Sequence, residues 1–224
     1  MSGERVLADM LDQVPWSELD RDSIAAEEVP RLVIDLVGGV SAESRREAAD
    51  NLYCAAANQG ILSEISPFIA KILIQVLRLD MCVDREPVYY VLQAIQECRA
   101  WRVRNDAVGE RLFTESRAAI DSGLDMYMVD LHRLDLERYP SLLLLFEDLA
   151  AKHLDVLTQL WAEVRRSDGE RGRRLEETYF GALEHAQQHT LDPAECFCGE
   201  EFWLTEKSVA DAAPEEGGGL RLPG

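Results

Sequence analysis

The chain has no long hydrophobic run. Its unbroken apolar stretches, such as Leu142 to Phe146, fall far short of the roughly 20 residues that cross a bilayer. It has little positive charge: 23 Lys and Arg stand against 42 Asp and Glu, for a net charge of −19. Nucleic-acid affinity rests on neutralising phosphates with Lys and Arg, so this balance argues against a nucleic-acid binder. It argues equally against docking on anionic lipid. No segment of useful length alternates apolar and polar residues with period 2, so no sheet is expected. There is no phosphate-binding Gly-x4-Gly-Lys-Ser/Thr loop, no G-x-G-x-x-G and no G-x-S-x-G elbow. The run "EEGGGLRLPG" belongs to the C-terminal tail and follows no strand. No enzyme class is indicated, and no cofactor. The N-terminus, "MSGERVLADMLDQV", is charged and lacks the apolar core of a secretory signal. The expectation is a soluble cytoplasmic protein.

Cysteine is sparse and odd in number: Cys54, Cys82, Cys98, Cys196 and Cys198. The first three lie in apolar helical contexts, which suits reduced thiols rather than a disulfide framework.

What the chain does have is 47% hydrophobic content arranged with helical spacing and punctuated by Gly and Pro. The pattern predicts helices over about 3–13, 24–37, 41–59, 66–79, 84–101, 105–121, 124–133, 140–153, 154–167 and 170–189. Ser23, Ser41 and Ser66 are candidate N-caps. Pro67 and Pro87 suit first turns, where a missing N–H is harmless; Pro30 sits inside 24–37 and either marks where that helix begins or kinks it. Gly38-Gly39 and Gly60 close helices. The helix over "SAESRREAADNLYCAAANQG" carries only a thin apolar stripe of Ala48, Ala49, Leu52, Tyr53 and Ala56. A helix of this length is marginal alone, so it needs neighbours. Pairing 24–37 with 41–59 and 66–79 with 84–101 gives a period of about 42 residues. That lies in the range of about 40–47 residues for two-helix solenoid repeats, whose units bury their apolar faces only by stacking. The expected fold is all-α, an α-solenoid of HEAT-like antiparallel helix pairs. Residues 1–23 form an N-terminal capping helix and linker, 24–190 the repeats, and 191–224 an irregular segment and disordered tail. Trp101 and Trp161 are expected in the core, and Trp203 is a candidate to dock the C-terminal segment.

Trp16, "VPRLVIDL" (Val29–Leu36), "RREAADNLY" (Arg45–Tyr53), "NQG" (Asn58–Gly60) and the Pro67-Phe68 pair before an apolar helix follow one another along the chain. In these features the chain resembles bacterial HEAT-repeat proteins of an actinobacterial-type group, over about residues 14–101. These motifs mark helix ends and packing positions. The group includes proteins that look like immunity proteins of bacterial toxin systems, which bind a cognate toxin and block it. The resemblance therefore implies protein binding, with a basic toxin domain as partner. DNA-acting members use a basic groove, and this acidic chain departs from that pattern. A general scaffold or regulatory interaction module is the alternative.

Two sets of residues are candidates for function. Glu43, Glu47 and Asp50 recur at helical spacing away from the apolar stripe, and Tyr90, Gln93 and Glu97 fall on a comparable face of the next repeat's second helix. Second helices line the concave surface of such repeats, so these six are the expected partner-binding residues. The weaker set is His185, His189, Cys196 and Cys198, a Cys2His2 combination that suits zinc. Its Cys-x-Cys spacing is tighter than most zinc sites use. Otherwise these are two surface histidines near a helix end and two ordinary thiols.

Overall fold

The structure, a computed structural model, describes residues 3–19, 26–57, 60–98 and 107–191, with side chains to 187. These residues are overwhelmingly helical, and none of them is in a strand. The helices are α1 (Gly3–Asp12), α2 (Val29–Gly38), α3 (Ala42–Ala57), α4 (Ser66–Arg78), α5 (Glu86–Glu97), α6 (Ala107–Asp121), α7 (Leu124–Arg133), α8 (Pro140–Ala150), α9 (Leu154–Val164) and α10 (Gly169–Leu191). No helix among the described residues is long and apolar enough to cross a membrane.

The all-α expectation holds, and most helix boundaries lie within a few residues of those read from the sequence. The differences have local causes. The helix expected from residue 24 starts at Val29, after a 3-10 turn at Ala26–Glu28, because Pro30 occupies its first turn. Ser41 caps α3 as expected: the Ser44 N–H donates to Ser41 Oγ at 3.0 Å. Ser66 does not cap α4. Its buried hydroxyl donates instead to Ala56 O at 2.6 Å, tying the start of α4 to the end of α3, and it accepts the Ser63 N–H at 2.9 Å. Gly39 is required by close approach, since a Cβ there would run into Asp35 O and lie 2.8 Å from Ser44 Oγ. Ser23, Trp101 and Trp203 lie outside the described residues.

The described chain divides into two compact units, 3–146 and 147–191. In the first unit α3 lies between α2 and α5, and α4 packs more broadly on α6 than on α5. This explains the thin stripe of α3. Ala48, Ala49, Leu52, Ala55, Ala56 and Ala57 are all buried, and five alanines let two neighbours approach closely. α5 is buried nearly all round, from Val88 to Gln96 except for a half-buried Tyr90. Leu36, Leu73, Leu77, Leu92 and Ile95 are fully buried. Each such side chain contributes about 1.5–3 kcal/mol relative to exposure. Trp16 is buried too, and its indole N–H donates to Leu11 O at 2.8 Å.

In the second unit α9 packs on α10, and Leu157, Leu160, Leu175 and Tyr179 are buried. Gly169, at φ +62°, makes the turn between them. Trp161 is half-buried rather than core, with its ring centroid 4.8 Å from that of Tyr179.

Candidate functional site

The outer face of α3 and α5 carries most of the expected binding residues. Both helices begin at defined points, α3 at the Ser41 cap and α5 with Pro87 in its first turn, which fixes the register of each surface. Glu43, Glu47 and Asp50 are exposed along α3, and Glu97 is exposed at the end of α5. Because α3 and α5 lie side by side, Tyr53 and Tyr90 meet, with ring centroids 5.9 Å apart and planes tilted by 34°. Both rings are half-buried. Burial, then the nearby Asp50 charge, pushes the Tyr90 phenol above its ordinary range. The structure thus brings Asp50 and Tyr90 together and adds Tyr53, which the sequence places in the apolar stripe of its helix. Gln93 is only 7% exposed and faces the interior rather than this surface.

Of the histidine–cysteine set, only the side chain of His185 is described. The His189 side chain and Cys196 and Cys198 lie outside the described residues. His185 Nδ1 is 3.3 Å from Asp148 Oδ1. Among the described residues no group of three or more His, Cys, Asp and Glu side chains could hold a metal ion.

Around His185 the structure assembles a cluster that the sequence did not suggest. Glu147 and Asp148 on α8 meet Gly181, Glu184 and His185 on α10. Burial, then the neighbouring Asp148 charge, pushes the Glu147 carboxyl up to about 7, with His185 opposing and Glu184 reinforcing the shift. Such a group can exchange a proton near neutral pH.

A second unanticipated cluster lies in the first unit. Arg85 Nη1 donates to Asp130 Oδ2 at 2.6 Å, and its Nη2 donates to Asp80 Oδ1 at 2.6 Å and to Leu77 O at 2.9 Å. The Tyr89 hydroxyl donates to the same Asp130 oxygen, and Arg133 Nε donates to Asp130 Oδ1 at 2.7 Å. Asp130 is 1% exposed. Burial opposes the Arg85 charge, but Asp80 and Asp130 more than offset this and hold it firmly protonated. Burial and the bond to Asp130 push Tyr89 well above its ordinary range. One signal was available: Asp130 occupies a core position beside Tyr127 and Leu131, where an unpaired carboxylate would be costly. Nearby, Ser141 Oγ donates to Glu86 Oε1 at 2.6 Å, joining α8 to α5 within this unit. These groups hold helices together. Burial also pushes the Cys82 thiol up to about 11, which keeps it out of its nucleophilic thiolate form.

No protein-family model, curated protein or solved structure matches this chain.

Proposed function

We propose that this chain is a helical-repeat protein whose task is to bind another protein, through the acidic, tyrosine-centred face of α3 and α5. The observation that carries this reading is the Tyr53–Tyr90 pair, 5.9 Å apart on adjacent helices. Beside it lie Asp50, whose charge acts on the Tyr90 hydroxyl, and the exposed Glu47 and Glu43. Half-exposed aromatic rings are the usual anchors of protein interfaces, and flanking charges set encounter rate and register. The net charge of −19 favours a basic partner. In this reading α2–α3 and α4–α5 are two HEAT-like repeats. The side-by-side placement of α3 and α5 supports that, because neighbouring second helices stack in such arrays.

The most specific form is an immunity protein of the cytoplasm that binds a basic toxin domain and masks its active surface. It draws on the resemblance carried by Trp16, Val29–Leu36, Arg45–Tyr53 and Pro67-Phe68. The test is affinity capture from native cell extract, washed at low and then high salt, with mass spectrometry of what remains. One dominant basic partner that survives high salt, and whose toxicity the chain suppresses on co-expression, is the expected result. Many partners that all leave as salt rises would overturn a dedicated interface.

A further inference from the structure

Gly181 sits in the middle of α10 and has no side chain to fill the space against α8. The Glu147 carboxyl fills it. A Cβ on Gly181 would lie 2.5 Å from the Glu147 carboxyl carbon and 2.6 Å from each of its oxygens. This is a poor place for a negative charge. Backbone N–H groups inside a helix are already bonded to carbonyls one turn back and offer the carboxylate nothing. Among the described residues no hydrogen bond or ion pair reaches the Glu147 carboxyl. The charged groups acting on it are Asp148 on its own helix and His185 and Glu184 on α10. None comes from α9. His185, the one group there that can carry positive charge, is engaged at 3.3 Å by Asp148. Three carboxyls therefore share one imidazole.

We propose that Glu147 is a proton-operated latch between α8 and α10. Protonated, it lies against Gly181 and lets the helices close. Ionised, it is driven towards water and loosens α10 around Gly181–His185.

The direction follows from linkage. The Glu147 carboxyl is raised from 4.5 to about 7 in the folded chain, so the folded state holds this proton more tightly than the unfolded state. The resulting stability is fully present below about pH 4.5. It declines as pH rises through the interval and is gone above about pH 7.

The experiment uses the full chain with carbon-13-labelled glutamate. The Glu147 carboxyl resonance, assigned by its loss in Glu147→Gln, is titrated from pH 4 to 9. Amide exchange of α10 is read at pH 6 and pH 8 and corrected for intrinsic base catalysis. The expected results are a midpoint near 7 and a loss of about tenfold in protection around Gly181 between the two pH values, absent in Glu147→Gln. A Glu147 midpoint in the ordinary carboxylate range overturns the latch. So does an equal loss of protection in both proteins. If Glu147→Gln fails to fold, Gly181→Ala supplies the assignment and the comparison. Its methyl group displaces the carboxyl, and the midpoint should fall. A midpoint unmoved by that methyl group counts against the latch.

Discussion

Arg85 and Asp130 are 45 residues apart in the chain and 2.6 Å apart in space, Nη1 to Oδ2, and both are buried. Asp130 also accepts from Tyr89 and Arg133, so one carboxylate on α7 gathers the start of α5 and the end of α7. Removing one partner of such a pair leaves the other charge buried and uncompensated. Asp130→Ala is expected to cost about 3–5 kcal/mol in urea unfolding. The double replacement Arg85→Met with Asp130→Leu should recover most of that loss, because two apolar groups leave no orphan charge. If the double variant is as unstable as the single one, the network does more than neutralise itself.

The same network sets an acid limit. The hydrogen bond from Arg85 holds the Asp80 carboxyl below its ordinary 3.8. Asp80 therefore contributes stability that is complete above about pH 3.8 and is lost as pH falls through its lower folded value. Acid unfolding of the first unit, followed by the exchange of α5 amides, should shift to higher pH in Asp80→Asn. An unchanged acid limb would assign acid sensitivity to other carboxyls.

Gly39 and Gly181 should respond differently to alanine. At Gly39 the new methyl group meets the carbonyl of Asp35, which is backbone and cannot rotate away. A cost of about 1–3 kcal/mol is expected, as for other forced overpacking. At Gly181 its nearest neighbours are the atoms at the end of the Glu147 side chain. That carboxyl can swing aside, and alanine improves helix propensity by up to about 1 kcal/mol. Thermal unfolding should show Gly39→Ala melting clearly below Gly181→Ala.

Ser66 offers a test of the α3–α4 junction. Its buried hydroxyl donates to Ala56 O and accepts from the Ser63 N–H. Ser66→Ala removes both bonds but leaves the Ser63 N–H bonded to Ala56 O at 3.3 Å, so urea unfolding should show a loss of only about 0.5–1.5 kcal/mol.

On the proposed binding face, Glu47→Lys and Asp50→Lys should leave folding stability within about 0.5 kcal/mol, as for exposed positions generally. They should slow association with the captured partner by about tenfold at low salt, and less as salt rises. Tyr90→Ala should act on dissociation instead, weakening binding by about tenfold or more. Surface plasmon resonance separates the two effects. Normal kinetics in all three variants would move the interface elsewhere.

The sequence by itself determined the helices. Ser41, Pro30, Pro67, Pro87 and Gly60 act on the few residues around them, so the ends of α2, α3, α4 and α5 could be read locally. It also determined that α3, with its thin apolar stripe, needed neighbours. Only the tertiary structure decided which helices those were and what lies between them. Gln93 shares a spacing with Tyr90 and Glu97 but is buried, because α5 is enclosed nearly all round. Amphipathic spacing cannot mark an outer face on such a helix. Arg85 finds Asp130, and Glu147 finds Gly181, across gaps in sequence that no periodicity spans. Local signals set backbone conformation within a turn or two. Which charges share a buried space depends on how whole helices pack, and that is a property of the folded chain alone.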